Sequence, residues 1–214
     1  MEREMLNCPN CEAEIGFKPI EFVDVSTDPD YKEKIMNGQF FLVKCNECGA
    51  EIMVEYPVMY MDPEKKLNIY MAPDHDGELL EQLNSLDVPG CEEDKDAIFR
   101  LVGSPTELLE KILMADGGRD DRIIELYKAI IVENLREDFP QVSPQDLLYY
   151  VDGDEEYLIV WDFENEEGEQ LTISIEEDLY QDLYNDFLDA LEIPANKYAE
   201  VDAVWLLDRV DVEQ

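Results

Sequence analysis

Histidine and basic residues are scarce in this chain. His75 is the only histidine among 214 residues, so catalytic schemes that need two histidines are excluded. Lysine and arginine total 16 against 54 aspartate and glutamate residues, which gives a formal net charge of −38. Proteins bind phosphate backbones by placing Lys and Arg against them, so this balance argues against direct nucleic-acid binding. It favours a basic protein surface or metal cations as partners.

Long hydrophobic runs are lacking as well. Runs such as Phe40–Val43 and Ala129–Val132 are far shorter than the roughly 20 residues that span a bilayer, so we expect no membrane association. The first residues lack the apolar stretch of a secretory signal, and we therefore expect a cytoplasmic, reducing location. In such a compartment, five cysteines indicate metal or thiol chemistry and not a disulfide framework.

The composition is nevertheless that of a folded protein with an acidic surface. Hydrophobic residues make up 45% and aromatic residues 10% of the chain, too much for a disordered acidic polymer. The charge is uneven, with a net of −7 over residues 1–73 and −20 over residues 143–214. This shift, with Pro140 and Pro144 beside it, predicts two domains, 1–139 and 140–214.

Two cysteine pairs carry the strongest chemical signal. They are Cys8-Pro9-Asn10-Cys11 and Cys45-Asn46-Glu47-Cys48, with Gly49 placed for the bend that follows the second pair. A two-residue spacer lets one tight turn aim both sulfurs at one point. Two such turns supply the four thiolates of a closed tetrahedral site, which favours one structural Zn²⁺.

Other interpretations of the pairs remain open. Cys₄ ligation alone also allows iron, in a rubredoxin-like or iron–sulfur site. A dithiol redox centre normally lies in a βαβ context, which is not evident here. Covalent haem attachment is excluded, because Glu12 and Gly49 stand where that motif requires histidine.

The pattern along the chain predicts an α+β fold: a zinc-ribbon-like antiparallel β unit with helices, then an acidic β-meander plus helix unit. Ser104-Pro105-Thr106-Glu107 fits a capping box that opens a helix, and Pro73–Asp96 forms a polar connection. The pattern of Val201–Val210 does not decide between helix and strand. The predicted strands are Glu14–Val25, Gln39–Lys44, Glu51–Met61, Lys66–Met71, Ala97–Val102, Leu147–Val151, Tyr157–Phe163 and Gln170–Ile175. The predicted helices are the stretch from Asp28 to Asn37, the one that opens at Ser104 and runs towards Ala115, the one that carries Ile123–Leu135 and ends near Phe139, and the one with Leu179–Leu191 on its apolar face that Pro194 ends.

The first part of the chain resembles the bacterial CpXC family, a group expected to bind zinc. The resemblance rests on Cys8-Pro9-Asn10-Cys11, on Gln39–Cys48, on Glu55-Tyr56-Pro57 and on the later helical stretch Leu108–Leu126. It departs at Asn46, where the family often has proline, but no ligand is lost. The resemblance implies zinc at Cys8, Cys11, Cys45 and Cys48 and implies no activity.

Weaker candidates have ordinary structural explanations. His75 lies between Asp74 and Asp76, as an exposed loop histidine would, and Cys91 precedes acidic residues that disfavour its thiolate. Asp120 and Asp121, between Arg119 and Arg122, suit a helix N-terminus. Asp152-Gly153-Asp154 and Asp162–Glu169 have the composition of calcium loops without EF-hand spacing, which indicates turns.

We therefore expect a zinc-binding, non-enzymatic interaction or regulatory module whose acidic residues 143–214 offer a binding face to a basic protein. No catalytic residue is assigned. The alternative is a carboxylate-based, metal-dependent hydrolase with a site between the two domains.

Overall fold

The computed structural model describes residues 3–85, 94–164 and 170–210, with the backbone alone at residues 162–164. Helices and predominantly antiparallel sheets alternate along the chain, and this confirms the α+β class. The loop candidate Cys91 lies outside the described residues. Of the predicted turn Asp162–Glu169, residues 162–164 belong to a strand and residues 165–169 lie outside the described residues.

The chain divides into two compact units. The first comprises Met1–Leu109 with Ala195–Tyr198, and the second comprises Glu110–Pro194 with Ala199–Gln214. The division falls within a helix, well before the boundary predicted between residues 139 and 140. The domain boundary between residues 139 and 140 stays a prediction.

The first unit contains two short hairpins and a four-stranded sheet. The sheet has the order β3-β6-β7-β8, and its β3–β6 and β7–β8 pairings are parallel, which the sequence pattern did not indicate. Parallel neighbours need a crossover connection, and helix α2 lies in the one between β7 and β8. The elements are β1 Glu4–Asn7, β2 Glu14–Phe17, β3 Phe22–Asp24, α1 Pro29–Met36, β4 Leu42–Lys44, β5 Glu51–Met53, β6 Val58–Asp62, β7 Leu67–Met71, α2 Gly77–Ser85 and β8 Ile98–Val102.

The sheet owes its core to strict alternation. Val58, Tyr60, Leu67, Ile69 and Met71 occupy every second position of β6 and β7 and are buried. Pro57 stands directly before β6, so it removes no hydrogen bond from the ladder.

Aromatic rings join the bases of the two hairpins. The ring of Tyr56 lies 6.1 Å from that of Phe17, which ends β2, and 5.4 Å from that of Phe41, which precedes β4. Phe40 completes the cluster, 4.8 Å from Phe41 in an edge-on arrangement. Tyr56, Phe40 and Phe41 are buried and Phe17 is partly buried, and their contacts hold the two hairpins beside each other.

In the second unit, a three-stranded antiparallel sheet of order β11-β10-β9 packs one face against helices. Its core includes Tyr127, Leu147, Tyr149, Leu158 and Leu183. The elements are α3 Pro105–Asp116, which begins in the first unit, α4 Asp121–Leu135, a 3-10 turn Pro144–Asp146, β9 Leu147–Asp152, β10 Glu155–Glu164, β11 Gln170–Ser174, α5 Glu177–Phe187 and α6 Ala203–Leu207.

Three local features complete the comparison with the sequence pattern. The predicted contacts between Ser104 and Glu107 form at the start of α3: the Ser104 hydroxyl accepts from the Glu107 N–H at 3.2 Å and donates to the Glu107 carboxylate at 3.1 Å. That carboxylate also accepts from the Gly103 N–H at 2.8 Å, one residue before the N–H that a capping box uses. Helix α2 lies within the predicted polar connection. The undecided C-terminal stretch forms α6, capped by Asp202, whose carboxylate accepts from the Trp205 N–H.

No helix in the described part of the chain is long and apolar enough to cross a membrane.

Candidate metal centre

Each cysteine pair sits at the tip of a hairpin, and the two tips are built alike. Cys8 follows β1, and its N–H donates to the Ala13 carbonyl at 2.8 Å; Cys45 follows β4, and its N–H donates to the Ala50 carbonyl at 2.8 Å. The carbonyl of each of these cysteines also accepts from the residue after its pair, Glu12 or Gly49. The repeated sequence Cys-x-x-Cys-x-Ala therefore gives the same hydrogen-bonded turn twice.

The residue after each pair adopts a left-handed backbone. The φ angle is 61° at Glu12 and 76° at Gly49. Glycine takes this conformation at no steric cost, whereas a glutamate is strained there. The first turn therefore forces Glu12 into a backbone conformation that it disfavours, and the surrounding contacts must offset the free energy of that strain.

The four sulfurs converge. The Cys8 and Cys48 sulfurs lie 3.6 Å apart, and the Cys11 and Cys45 sulfurs lie 3.7 Å apart. All four sulfurs lie within 4.8 Å of one another. Sulfurs at the corners of a tetrahedron with metal–sulfur bonds of about 2.3 Å are separated by about 3.8 Å. The cluster thus has the size and donor set of a four-thiolate metal site and can hold one metal ion.

Burial differs within each pair. Cys8 and Cys45 are each 1% exposed and pack with Ile15 in a small core of their own, whereas Cys11 and Cys48 are exposed. One ligand of each turn is therefore fixed by packing, and the other closes the site from the solvent side.

Hydrogen bonds and neighbouring thiols pull the pKa values of the exposed cysteines apart. The Asn10 side chain and the Ala50 N–H hydrogen-bond to Cys48 and lower its pKa to about 6. The Ala13 N–H lowers the pKa of Cys11, but partial desolvation and the thiols of Cys48, Cys8 and Cys45 outweigh it and raise that pKa to about 12. Four thiolates this close repel one another, so full ionisation requires a bound cation.

The other candidate residues lie outside this cluster. Among the described residues, the four cysteines are the one group of three or more close Cys, His, Asp or Glu side chains arranged to hold a metal. His75 is half-buried between β7 and α2, close to Gly103 and Glu107 in space, and so is less exposed than predicted. Asp152-Gly153-Asp154 forms the β9–β10 turn, with Gly153 at a φ of 61°.

The cluster around Arg119 is a structural junction of the second unit. Asp120 caps α4 by accepting from the Arg122 N–H at 3.0 Å, which confirms the capping prediction, and Arg122 returns a two-pronged contact to the Asp120 carboxylate. Arg119 binds the carboxylates of Glu156 and Glu177 and stacks on the Tyr180 ring, 4.4 Å from its centroid. Arg119 thus joins the start of α4 to β10 and α5, and Arg122 donates to the Leu191 carbonyl beyond α5 at 3.1 Å.

A buried charge network in the second unit was not predicted from the sequence. Lys128 contacts Glu110 at 2.7 Å and Glu125 at 2.9 Å, while Lys111 contacts Asp121 at 3.1 Å. Burial raises the pKa of Glu125; burial lowers that of Lys128, but the charges of Glu110 and Glu125 outweigh it and raise the pKa. In the sequence, α3 and α4 show charged residues three and four positions apart among apolar residues. A solvent-exposed helix face has the same spacing, so the pattern does not distinguish a buried network from an exposed one.

Comparison with known proteins identifies a family. The family model described as CpXC protein matches residues 6–128, which is more than half of the chain and includes all four clustered cysteines. No curated protein and no solved structure matches.

Proposed function

The chain belongs to the CpXC family, and from that premise we propose that it is a non-enzymatic interaction or regulatory module, braced by one structural Zn²⁺ and presenting an acidic face to a basic protein. The observation that carries the zinc part is the convergence of four sulfurs from two matching turns. The acidic part rests on residues 143–214, which hold 22 acidic and 2 basic side chains.

Zinc is the metal that this donor set favours. Cys8, Cys11, Cys45 and Cys48 offer four soft thiolates and no oxygen or nitrogen ligand, which suits Zn²⁺ in a structural site. Iron has nearly the same bond length to sulfur, so the distances alone do not separate the two metals, and iron stays the competing assignment.

A structural role follows from the size of the hairpins. The β1–β2 hairpin has four residue pairs and the β4–β5 hairpin three, and two-stranded hairpins of this length are at best marginally stable in water. A metal that bonds to both tips would link them across the 33 residues between Cys11 and Cys45. With all four positions taken by thiolates, no position is left for an activated water.

Removing the metal tests the structural role directly. We expect a thiol-compatible chelator to abolish amide protection in residues 4–17 and 42–53, because metal binding energy in such sites is folding energy. Protection in β9 and β10 should persist, since those strands belong to the other unit. Unchanged protection in both hairpins would contradict a structural metal.

The acidic part has its own test in the salt dependence of binding. Residues 143–214 share one core with α4, so deleting them would damage the fold, and substitutions are the sounder probe. An affinity for a basic protein that ignores ionic strength would argue against the acidic face, because the Debye length falls from about 10 Å at 0.1 M to about 3 Å at 1 M salt. The hydrolase alternative predicts substrate turnover that needs an added divalent ion. The cytoplasmic location stays a prediction.

A further inference from the structure

The outer face of the three-stranded sheet carries an unusual set of side chains. The register places Tyr150 of β9 opposite Tyr157 of β10, and Leu148 opposite Ile159. Side chains on a strand alternate between faces, so Trp161 projects on the same side as Tyr157 and Ile159. We call these five residues the aromatic face.

Solvent reaches the aromatic face although the opposite face is packed. Leu147, Tyr149 and Leu158 point into the core beneath the helices and are at most 2% exposed. On the aromatic face, Trp161 is 55% and Tyr150 45% exposed. Tyr150 lies beside Tyr157, and Trp161 lies four residues farther along the same face, beyond the pair of Leu148 and Ile159. A row of large exposed aromatic groups marks an interaction surface more often than a single ring does.

Two carboxylates lie at one end of the aromatic face. Asp152 and Glu155 are directly opposite each other at one end of the face, where like charges repel. The Tyr157 hydroxyl donates to Glu155, and both carboxylates raise the pKa of Tyr157. The sequences of β9, β10 and β11 contain five acidic residues and no lysine or arginine. No cationic side chain of these three strands therefore neutralises Asp152 and Glu155.

We propose that the aromatic face binds an arginine- or lysine-rich segment of a partner protein, whose cationic side chains stack on Tyr150, Tyr157 and Trp161. Those that stack on Tyr150 and Tyr157 also meet the carboxylates of Asp152 and Glu155. The proposal deepens the proposed function, since it names the surface and the chemistry of the partner. Cations bind the faces of tryptophan and tyrosine rings, and neighbouring carboxylates add attraction. The face lies beyond residues 6–128, so it is a feature of this chain outside the part that matches the family model.

Charge selects this occupant over two others. A second copy of the chain would bring another carboxylate pair against Asp152 and Glu155 at a net charge of −38 per chain. A nucleic acid would bring phosphates against the same pair. Only a cationic partner gains from both the rings and the carboxylates.

The probe is a peptide of nine arginines, titrated into the full chain by calorimetry at near-physiological salt. We expect Tyr150→Ser with Trp161→Ser to weaken binding about tenfold, and Asp152→Asn with Glu155→Gln to do the same. Matched controls remove equally exposed apolar groups, Val204→Ser with Leu207→Ser, or two charges elsewhere in the unit, Asp186→Asn with Asp189→Asn. Both controls should stay within about twofold of the unmodified protein, because neither changes the face.

Quenching by acrylamide supplies a second readout. Trp161 is exposed and Trp205 is 8% exposed, so acrylamide reports mainly on Trp161, and bound peptide should shield it. If all four double variants bind the peptide equally, the net charge of the protein attracts the peptide and the aromatic face is not its binding site. That result would contradict this proposal and would leave the acidic module of the proposed function intact. If the unmodified protein does not bind the peptide, the acidic module fails too. Self-association abolished by Trp161→Ser would overturn the proposal in favour of a second copy.

Discussion

The sulfur of Cys8 lies 3.6 Å from that of Cys48, although forty positions separate the two residues in the chain. The first cysteine of one turn thus meets the second cysteine of the other, and Cys11 and Cys45 repeat the arrangement at 3.7 Å. This crossed pairing makes the two hairpins one site, because neither turn alone supplies more than two ligands.

Asn10→Ala should weaken metal binding about tenfold, since the Asn10 side chain hydrogen-bonds to Cys48 and such outer contacts are worth about 10–100-fold in affinity. Competition with a chromogenic chelator measures the change. Glu47 holds the equivalent place in the other turn, so Glu47→Ala is the matched control and should leave the affinity within about threefold. Equal losses in both variants would show that the Asn10 contact has no special role.

Arg119→Ala should lower the free energy of unfolding of the second unit by about 2–3 kcal/mol, because it leaves the largely buried Glu156 without its charged partner. Urea denaturation followed by tryptophan fluorescence reports on this unit. Arg136 pairs with Glu133 while both are more than 60% exposed, so Arg136→Ala should cost at most about 0.5 kcal/mol. Equal losses of unfolding free energy in Arg119→Ala and Arg136→Ala would show that the contact between Arg119 and Glu156 adds no special stability.

Acid should remove the contribution of Glu177. The hydrogen bond from Arg119, followed by that from Gln181, lowers the pKa of Glu177 below its ordinary 4.5. A carboxyl whose pKa is lowered by folding stabilises the protein above its unfolded pKa and loses that effect as the pH falls through the folded value. The stability difference between the unmodified protein and Glu177→Gln should therefore be constant near neutral pH and shrink below about pH 4.5. A difference that grows on acidification would contradict the ion pair.

Gly117→Ala should destabilise the second unit by about 1–3 kcal/mol through overpacking. An added Cβ would lie 2.9 Å from the Tyr149 hydroxyl and 3.1 Å from a Glu156 oxygen, and Arg119 holds that carboxylate in place. Gly77→Ala is the control: a Cβ there meets nothing within 4 Å, so its effect should stay within about 1 kcal/mol. Thermal denaturation compares the two variants.

The cysteine cluster was predictable because two short local motifs define it. A two-residue spacer fixes each turn, and the ligand count follows from two such turns, so the spacing alone indicates Cys8, Cys11, Cys45 and Cys48 as one set of ligands. The turns differ at one point that spacing does not reveal, the left-handed backbone of Glu12.

Features that depend on distant partners were not predictable. Arg119 lies 37 positions before Glu156 and 58 before Glu177, and nothing in the local pattern pairs them. Lys128 in α4 has the spacing to Glu125 of an exposed ion pair, yet tertiary packing buries both. Helix α2 was missed although its leucine, glutamate and glutamine residues favour a helix, because the helix has only nine residues and lies in a polar connection.

The most direct test of the account is elemental analysis of protein purified without added metal, compared with Cys8→Ser and with Cys91→Ser as the control outside the predicted ligand set. We predict one zinc per chain in the unmodified protein and in Cys91→Ser. Cys8→Ser should retain far less than one zinc per chain, since loss of a ligand costs more affinity than loss of an outer contact. Protein that holds no metal, holds iron, or keeps its zinc after Cys8→Ser would contradict a structural zinc at the four cysteines.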